Sequence, residues 1–332
     1  MASNKIACLD VFAPAVQAEI RAVAAPDFEI RFARTYDESE QLDLATNADF
    51  LLVGTAPVNA SMIAKLSRIR LIQKWGIGVD KIDLDAARRA GIPVAITSGA
   101  NSAPVSELAL GLMLAVYRRI AFADRKTREG TWLKAEMRSW CYQLDGKTIG
   151  LLGFGAIARM TAHRLSGFDV EILYHDLNRA DPASERALRA RPVSFDELLA
   201  RSDILSIHTP LTPATRNLIG REAIGRMKDG AVVINTARGG IVDEAALHDA
   251  LVGGKLRGAG LDALAVEPAT ADNPLFQLDQ VVITPHAGGG VFDNVGNVAR
   301  HAVGNMRKIL SGENLAALDV VVPAQRARTA DA

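Results

Sequence analysis

Short apolar runs alternate with longer mixed segments along most of the chain. An apolar run of this kind suits a strand buried on both faces of a parallel sheet, and a mixed segment suits a helix that covers the sheet. The runs predicted as strands are 6–9, 28–32, 50–53, 71–73, 93–96, 148–152, 170–174, 204–207, 231–235, 258–262 and 281–284. The segments predicted as helices are 15–23, 61–66, 83–90, 102 to about 122, and 194–201, with a further helix after Gly155. Strands that alternate with helices predict an α/β fold with parallel sheets.

The stretch from residue 147 to residue 176 carries the most specific pattern in the chain. The strand predicted at 148–152 runs into Gly153, Gly155 and Ala158, which fit the spacing G-x-G-x-x-G/A. Gly153 permits a tight turn, Gly155 lets a pyrophosphate approach the backbone, and Ala158 permits close packing of helix on strand. The N–H groups at the start of the following helix favour that pyrophosphate. The stretch therefore predicts a dinucleotide site.

An acidic residue follows the next predicted strand. Asp176 comes after the strand at 170–174 and stands 23 residues after Gly153. A carboxylate there accepts hydrogen bonds from an adenosine ribose and repels a 2′-phosphate, which favours NAD over NADP. Arg179 lies close by and weakens that preference. The glycines alone also fit an ordinary strand–helix turn, but here all parts of a dinucleotide site occur in order.

The composition narrows the class of protein. Lys and Arg total 38 and Asp and Glu total 38, so the net charge is zero and neither nucleic acid nor an anionic membrane is an expected partner. The chain has 332 residues and is 49% hydrophobic, which suits two domains. Cys8 and Cys141 have no metal or redox spacing, so we expect a cytoplasmic protein without a metal. No apolar stretch is long enough to span a bilayer, and the residues after Val322 are expected to fray.

Two glycines follow the strand predicted at 71–73, in the loop Lys74-Trp75-Gly76-Ile77-Gly78-Val79-Asp80. Ligands of open α/β sheets lie beyond the carboxyl ends of the strands. One interpretation is a nest of backbone N–H groups that binds a substrate carboxylate, and the other is an ordinary glycine turn; the spacing favours neither. Lys74 adds a cation and Trp75 a shape-defining aromatic ring, although a single lysine often belongs to the solvated surface.

Polar residues also follow later strands of the predicted nucleotide domain. Arg238, Glu267 and His286 come after the strands at 231–235, 258–262 and 281–284. Each of the three alone fits a surface role, but the carboxyl ends of parallel strands converge on one crevice, where each would have a distinct chemical task. His208 follows another strand, and it fits either a catalytic base or a loop histidine that faces the cofactor.

At these motifs the chain resembles the NAD-dependent D-isomer-specific 2-hydroxyacid dehydrogenases, the family of D-3-phosphoglycerate dehydrogenase and of glyoxylate and hydroxypyruvate reductases. The segments Asn235-Thr236-Ala237-Arg238-Gly239 and Ile283-Thr284-Pro285-His286 are highly specific to that family. The resemblance extends from the loop that begins at Trp75 to the loop His286-Ala287-Gly288-Gly289. It therefore covers nearly the whole chain.

The resemblance implies a fold, an assembly and a reaction. It implies two doubly wound parallel-sheet α/β domains, with a Rossmann NAD domain at 103–292 inserted into a flavodoxin-like substrate domain made of 1–102 and 293–332. It also implies a homodimer joined through the nucleotide domains. The reaction is the interconversion of a D-2-hydroxy acid and its 2-oxo acid. Arg238, Glu267 and His286 are the implied catalytic residues, with His286 exchanging the proton, Glu267 favouring its imidazolium form, and Arg238 holding the substrate carboxylate and carbonyl.

Two sets of ligand contacts complete the prediction. The residues expected to contact NAD are Val105, Gly153, Phe154, Gly155, Ala156, Ile157, Asp176, His208, Thr209, Pro210, Thr215, Thr236, Ala237, Asp262 and Gly288. The residues expected to contact the substrate are Lys74, Trp75, Gly76, Ile77, Gly78 and Asn101. Two alternative functions stay open: an NAD(H)-sensing regulator of the corepressor type, and a dehydrogenase that oxidises formate or phosphite on the same scaffold.

Overall fold

The structure is a computed structural model that describes residues 4–324. Of these residues, those up to Asn101 and from Gly290 onward form one compact unit, called unit 1 below, and Ser102–Gly289 form unit 2. The predicted domain boundaries, after residue 102 and before residue 293, lie one and three residues from these positions. The predicted fraying of the chain end concerns residues that lie almost entirely outside the described part.

Strands and helices alternate in both units. The strands are β1 (Asn4–Cys8), β2 (Phe28–Phe32), β3 (Phe50–Val53), β4 (Leu71–Lys74), β5 (Val94–Ala95), β6 (Thr148–Leu152), β7 (Glu171–His175), β8 (Ala190–Pro192), β9 (Ile204–Ile207), β10 (Ala231–Asn235), β11 (Leu256–Leu261), β12 (Val281–Ile283) and β13 (Val320–Val322). The α-helices are α1 (Pro14–Ala24), α2 (Glu38–Thr46), α3 (Ala60–Ile63), α4 (Leu84–Ala90), α5 (Ser102–Tyr117), α6 (Ile120–Arg128), α7 (Met137–Trp140), α8 (Ala156–Leu165), α9 (Pro182–Leu188), α10 (Phe195–Arg201), α11 (Arg221–Arg226), α12 (Glu244–Val252) and α13 (Val295–Ser311).

Unit 1 is built on a six-stranded sheet in the order β13-β5-β4-β3-β1-β2. Its strands pair in parallel, except that β13 runs antiparallel to β5. Successive side chains of β3 enter different hydrophobic clusters: Leu51 and Val53 lie in one, and Phe50 and Leu52 in the other. Because side chains alternate across a strand, β3 is buried on both faces, which explains its unbroken apolar run.

The helix α13 completes the core of unit 1 although it lies near the end of the chain. Val295, Ala299, Ala302, Val303 and Met306 belong to the cluster that also contains residues of β1, β2 and β3. These positions recur at helical spacing and form a single apolar face. Unit 1 is therefore discontinuous in sequence, and its core depends on both ends of the described chain.

Unit 2 is built on a seven-stranded parallel sheet in the order β12-β11-β10-β9-β6-β7-β8. Val232 and Ile234 enter one hydrophobic cluster and Val233 enters the other, so β10 too is buried on both faces. The chain extends the sheet from β6 toward β7 first and then returns to place β9 on the other side of β6. This reversal of strand order is the position at which doubly wound sheets bind ligands. Together with unit 1, unit 2 gives the predicted fold class of two doubly wound α/β domains.

The prediction of one helix from Ser102 to about residue 122 is wrong at its end. Helix α5 ends at Tyr117, and Arg119 takes a left-handed backbone conformation with φ 47° before α6 begins. The backbone N–H of Tyr142 donates to the Tyr117 carbonyl, so a segment distant in sequence satisfies the end of the helix. The local apolar pattern gave no sign of this contact. Several further elements were not predicted from the sequence, namely the helices α2, α7, α9, α11 and α12 and the strands β8 and β13.

Candidate active site

The turn between β6 and α8 has the backbone that its two glycines allow. Gly153 has φ 88°, and a Cβ atom there would lie 2.9 Å from the carbonyl carbon and oxygen of His208. Gly155 has ordinary extended backbone and is the N-cap of α8, and a Cβ there would meet nothing within 4 Å. Gly153 is thus required by the fold, whereas Gly155 opens onto free space at a helix N-terminus. That space suits a phosphate group.

The two glycines therefore predict different phenotypes. We expect Gly155→Val to fold normally and to weaken NADH binding by at least about tenfold, because its side chain would occupy the space in which a pyrophosphate approaches the backbone. Gly153→Ala is the comparison variant, and it should lower thermal stability because of its positive φ and its contact with His208. Fluorescence titration with NADH and thermal denaturation separate the two effects. Unchanged NADH affinity in Gly155→Val would contradict the placement of the pyrophosphate.

Asp176 is fixed beside this turn. Its carboxylate accepts hydrogen bonds from the Phe154 backbone N–H, at 2.7 Å, and from the Asn178 backbone N–H, at 2.9 Å. Arg179, the residue expected to weaken the preference for NAD, instead makes two hydrogen bonds to Glu185, at 2.9 and 3.0 Å. An arginine held in this way is less available to a 2′-phosphate. The contact of Asp176 with an adenosine ribose stays a prediction, with which this local geometry is compatible.

His208 lies at the end of β9, behind the nucleotide turn. Burial lowers the pKa of its imidazole from 6.5 to about 4, so the ring is neutral at pH 7. The ring Nε2 lies 2.9 Å from the hydroxyl of Ser206, which is buried in the strand. A neutral ring held by a hydrogen bond is a poor general acid. His208 therefore fits the other predicted role better, that of a loop histidine that faces the cofactor. Farther along this loop, the Thr215 hydroxyl donates to the carbonyl of Pro210, at 2.7 Å, and contacts of Thr209, Pro210 and Thr215 with NAD stay predictions.

The imidazole of His286 is paired with the carboxylate of Glu267. The His286 Nδ1 atom lies 2.8 Å from Glu267 Oε2, and the other carboxylate oxygen accepts a hydrogen bond from the Leu264 backbone N–H at 2.9 Å. His286 has a left-handed backbone with φ 53°, a conformation uncommon outside glycine. Among the described residues, its Nε2 atom has no hydrogen-bond partner, and the side chain is 40% exposed. The ring can therefore exchange a proton through Nε2 while Glu267 holds Nδ1.

Arg238 follows β10 in a turn that a buried asparagine stabilises. The Asn235 side chain donates to the Arg238 carbonyl, at 2.8 Å, and accepts from the Ala237 backbone N–H, at 3.0 Å. The Arg238 guanidinium donates to the carbonyl of Ala237 at 2.7 Å. Asn235 was predicted only as part of the segment Asn235-Thr236-Ala237-Arg238-Gly239, without a role of its own. An asparagine that ends an apolar strand is nevertheless a sequence signal of a polar turn.

Two close contacts tie the three strand-end loops together. A Cβ on Gly239 would lie 1.9 Å from the carbonyl carbon of Leu264, so the Arg238 turn packs directly on the backbone that leads to Glu267. The buried carboxylate of Asp262 accepts hydrogen bonds from the Thr284 hydroxyl and from the backbone N–H groups of Ala287 and Gly288, at 2.6, 2.8 and 2.9 Å. Asp262 thus anchors the His286 loop to the end of β11, a bracing role that the sequence did not reveal.

Other predicted cofactor contacts lie near these loops. A Cβ on Gly288 would lie 2.9 Å from Asp262 Oδ2 and 3.5 Å from a methyl group of Val105. The Thr236 hydroxyl is buried and has no hydrogen-bond partner among the described residues. A buried polar atom without a partner is costly, and a ligand that supplies the missing hydrogen bond removes that cost. Thr236 is therefore suited to contact a cofactor.

In unit 1, the loop after β4 presents fewer free N–H groups than the sequence suggested. The Gly76 N–H donates to the Thr97 hydroxyl at 2.8 Å and is not available to a carboxylate. The N–H groups of Ile77 and Gly78 have no protein partner within residues 4–324. A nest for a carboxylate would thus use these two amides. Gly76 instead forms the turn of the loop, with φ 106°.

The side chains around this loop are also fixed. The Lys74 ammonium donates to the carbonyls of Gly54 and Trp75, at 2.5 and 2.9 Å, which draws the loop toward the end of β3. The Trp75 ring packs against that of Phe12, with centroids 5.6 Å apart. The Asn101 Oδ1 atom is buried without a partner among the described residues. Asn101 is therefore suited to a ligand contact in the same way as Thr236.

The chain is similar to known NAD-dependent dehydrogenases and reductases. Residues 110–288 match the family model described as the NAD binding domain of D-isomer specific 2-hydroxyacid dehydrogenases. The chain is 42% identical over 256 residues to a hydroxypyruvate reductase of Thermotoga maritima, which covers 76% of this chain and 81% of that protein. It is 38% identical over 286 residues to the D-3-phosphoglycerate dehydrogenase of Mycobacterium bovis, covering 86% of this chain.

The matched length and the structural similarity complete this comparison. The chain spans about half of the mycobacterial protein, 53% of its length. A formate dehydrogenase from Staphylococcus aureus, solved in complex with NAD, superposes with a TM-score of 0.85 at 27% identity, covering 97% of this chain and 100% of that one. Within residues 4–324, no helix is long and apolar enough to cross a membrane, and no group of metal-ligating side chains forms a metal site.

Proposed function

Because the chain belongs to the D-isomer-specific 2-hydroxyacid dehydrogenase family, we propose that it interconverts a D-2-hydroxy acid and the corresponding 2-oxo acid with NAD(H). The observation that carries this proposal is the pairing of His286 with Glu267, 2.8 Å apart, on a loop that Asp262 anchors. When bound, the nicotinamide supplies or accepts the hydride. The residues of the chain then have to hold the acid, move one proton and stabilise charge.

His286 transfers the proton in this proposal. In the direction of reduction, its Nε2–H donates to the oxygen of the substrate carbonyl, on which negative charge develops. Glu267 holds Nδ1 and stabilises the imidazolium that must be present before the transfer. In the direction of oxidation, the neutral ring accepts the proton of the hydroxyl. The fixed hydrogen bond at Nδ1 sets the orientation of the ring in both directions.

Arg238 binds the carboxylate of the substrate in this proposal. A guanidinium can make two parallel hydrogen bonds to a carboxylate or hold a carboxylate and a carbonyl together, which a lysine cannot copy. The turn around Asn235 keeps the Arg238 backbone in place. The amides of Ile77 and Gly78 and the Asn101 side chain are proposed as further substrate contacts, with Lys74, Trp75 and Gly76 shaping the loop that carries them.

Turnover of a panel of acids tests this function. We expect NADH oxidation with at least one of glyoxylate, hydroxypyruvate, phosphohydroxypyruvate and pyruvate, at a kcat of about 1 s⁻¹ or more. The absorbance of NADH is followed, and for acids whose product is chiral the reverse reaction with the D-isomer and the L-isomer checks the stereochemistry. NADH binding without turnover on any of the four acids would reject this proposal and favour the corepressor type of regulator.

A formate-oxidising activity is the second candidate, and the similarity to the formate dehydrogenase of Staphylococcus aureus favours it. It differs from the first in its chemistry, because formate transfers a hydride without leaving a hydroxyl proton for His286 to accept. Reduction of NAD by formate, measured beside the panel of 2-oxo acids, distinguishes the two. The same assay with phosphite covers the related alternative.

We infer a homodimer formed through unit 2. The segment from α6 to α7 exposes apolar side chains, with Ile120 53% exposed and Trp132 76% exposed, and the rings of Phe122 and Trp140 meet edge to face 6.0 Å apart. Exposed apolar groups clustered in this way are typical of an interface. The free thiols of Cys8 and Cys141 also support a reducing, cytoplasmic location.

A charge introduced into the exposed segment tests the dimer. We expect Trp132→Glu to shift the sedimentation coefficient from that of a dimer to that of a monomer at micromolar concentration, because a carboxylate cannot be buried there without a partner. Val252→Glu is the matched control, since Val252 is 63% exposed in the same unit but lies on α12. A monomeric wild-type protein would refute the inference.

A further inference from the structure

A cleft of about 530 Å³ lies on unit 1. Helix α13 forms one side of it, and the segment 316–319 before β13 forms the other, with Ser98 at its base. Pockets that hold small molecules in proteins have volumes of this order. The functions assigned above to Arg238, Glu267, His286 and the nucleotide turn make no use of it.

The base of the cleft is polar and ordered. The carboxylate of Asp319 is 2% exposed and accepts hydrogen bonds from the Ser98 hydroxyl, from the Ser98 N–H at 3.1 Å, and from His301 Nε2 at 2.7 Å. Burial alone would raise the pKa of Asp319, but the hydrogen bonds from Ser98 and His301 outweigh it and lower the pKa. Asp319 is thus an ionised group that braces the cleft through Ser98 and His301, and within residues 4–324 it forms no ion pair with Arg300 or Lys308.

Two cationic side chains also line the cleft. Arg300 and Lys308 both line the cleft, and within residues 4–324 neither side chain has a hydrogen-bond or ion-pair partner. They stand four residues before and four residues after Gly304, so all three positions lie on one face of α13. Facing them are Ala316, Ala317 and Leu318, an apolar wall of which Leu318 is 81% exposed.

Gly304 lies between these two cations on α13 and also lines the cleft. It lies in the interior of a helix of 17 residues, where glycine weakens the helix relative to almost any other residue except proline. A Cβ at Gly304 would meet nothing within 4 Å, so no packing in unit 1 requires glycine there. The space at this position, between Arg300 and Lys308 along the helix, is therefore open.

We propose that this cleft binds a small organic anion, with Arg300 and Lys308 pairing its carboxylate or phosphate group and residues 316–318 covering its apolar part. Two cations one helical turn on either side of an open position suit an anionic head group. The adjacent apolar wall suits a short hydrocarbon segment. None of the residues that line the cleft is one of the proposed catalytic, cofactor-contacting or substrate-contacting residues.

Calorimetric titration of the full chain, saturated with NADH, tests the proposal with defined probes. Hexanoate and hexyl phosphate should each bind at one saturable site with a dissociation constant of about 1 mM or below, and the two probes distinguish a carboxylate ligand from a phosphate ligand. Uncharged 1-hexanol should bind at least about tenfold more weakly than the better anion. Inorganic phosphate alone tests whether the head group suffices.

Variants of the cleft locate the binding. The double variant Arg300→Gln/Lys308→Gln should weaken the better probe at least about tenfold, and Gly304→Leu, which fills the open space and strengthens the helix, should abolish its binding. Arg238→Met should leave probe binding unchanged. Wild-type affinity in both cleft variants, equal binding of hexanol, or no saturable binding by either organic anion would overturn the proposal. Binding of inorganic phosphate alone, insensitive to Gly304→Leu, would mean an adventitious ion only.

Discussion

His286→Gln should lower kcat by at least about 100-fold while leaving the affinity for NADH unchanged. Glutamine keeps a hydrogen-bonding group near Glu267 but has no titratable nitrogen. It can therefore neither donate a proton to the substrate carbonyl oxygen nor accept the proton of the substrate hydroxyl. Steady-state kinetics with the best acid of the panel, together with fluorescence titration of NADH, measure the two quantities separately.

A matched control distinguishes the chemistry from the general loss of a histidine. His248 also lies beside a carboxylate, with its Nδ1 atom 3.7 Å from Asp249, but it is on α12 and not on a strand-end loop. His248→Gln should keep kcat within about twofold of the wild type, because exposed pairs of this kind contribute little. Equal activity of the two variants would remove His286 from the mechanism. Loss of NADH binding in His286→Gln would instead indicate a structural role.

The second large effect is expected at Gly239. Gly239→Ala should lower the free energy of unfolding by about 1–3 kcal/mol and should reduce kcat/KM at least about 100-fold, since a misplacement of about 1 Å in a catalytic group can have that effect. The added methyl group would lie 1.9 Å from the carbonyl carbon of Leu264 and 2.3 Å from the Ala265 nitrogen. Backbone cannot move aside as a side chain can, so the Arg238 turn and the segment before Glu267 have to separate.

Gly240→Ala is the natural control for this experiment. A Cβ there would be 3.2 Å from a guanidinium nitrogen of Arg216 and 3.5 Å from a methyl group of Leu211, both of them flexible ends of side chains. We expect it to change the free energy of unfolding by less than about 1 kcal/mol and to keep activity. Urea denaturation and steady-state kinetics of the two variants form the comparison. If both variants behave like the wild type, the close packing of the Arg238 turn is not needed for the site.

The parts of the fold that could be predicted from sequence are those that local chemistry determines. The strands β2, β3, β6, β9 and β10 begin and end at the predicted residues, because a strand buried on both faces must be apolar throughout and polar beyond its ends. Because ligands of such sheets lie beyond the carboxyl ends of the strands, the polar residues that follow β10, β11 and β12 were then chosen, namely Arg238, Glu267 and His286. The hydrogen bond between His286 and Glu267 is the geometry that such convergence allows, while their catalytic roles stay predictions.

The features that sequence did not reveal depend on contacts between distant residues. The end of α5 at Tyr117 is set by Tyr142, the Gly76 amide is taken by Thr97, and the His286 loop is anchored by Asp262. Each of these partners lies 20 or more residues away along the chain. Periodicity and turn signals act over a few residues, so they carry no information about such pairs. The orphan hydroxyl of Thr236 could likewise be recognised only once its burial was known.

The position of α13 has a consequence for the order in which the chain can fold as it leaves the ribosome. The sheet of unit 2 is complete once β12 has been synthesised, at Ile283, whereas unit 1 still lacks α13, whose Val295, Ala299 and Met306 fill the core beside β1 and β3. Residues 4–101 therefore have to wait, with one side of their sheet only partly covered by α1, until α13 has been translated. Nascent chains would expose that apolar surface for longest, so chaperones that bind it would act on unit 1 rather than on unit 2.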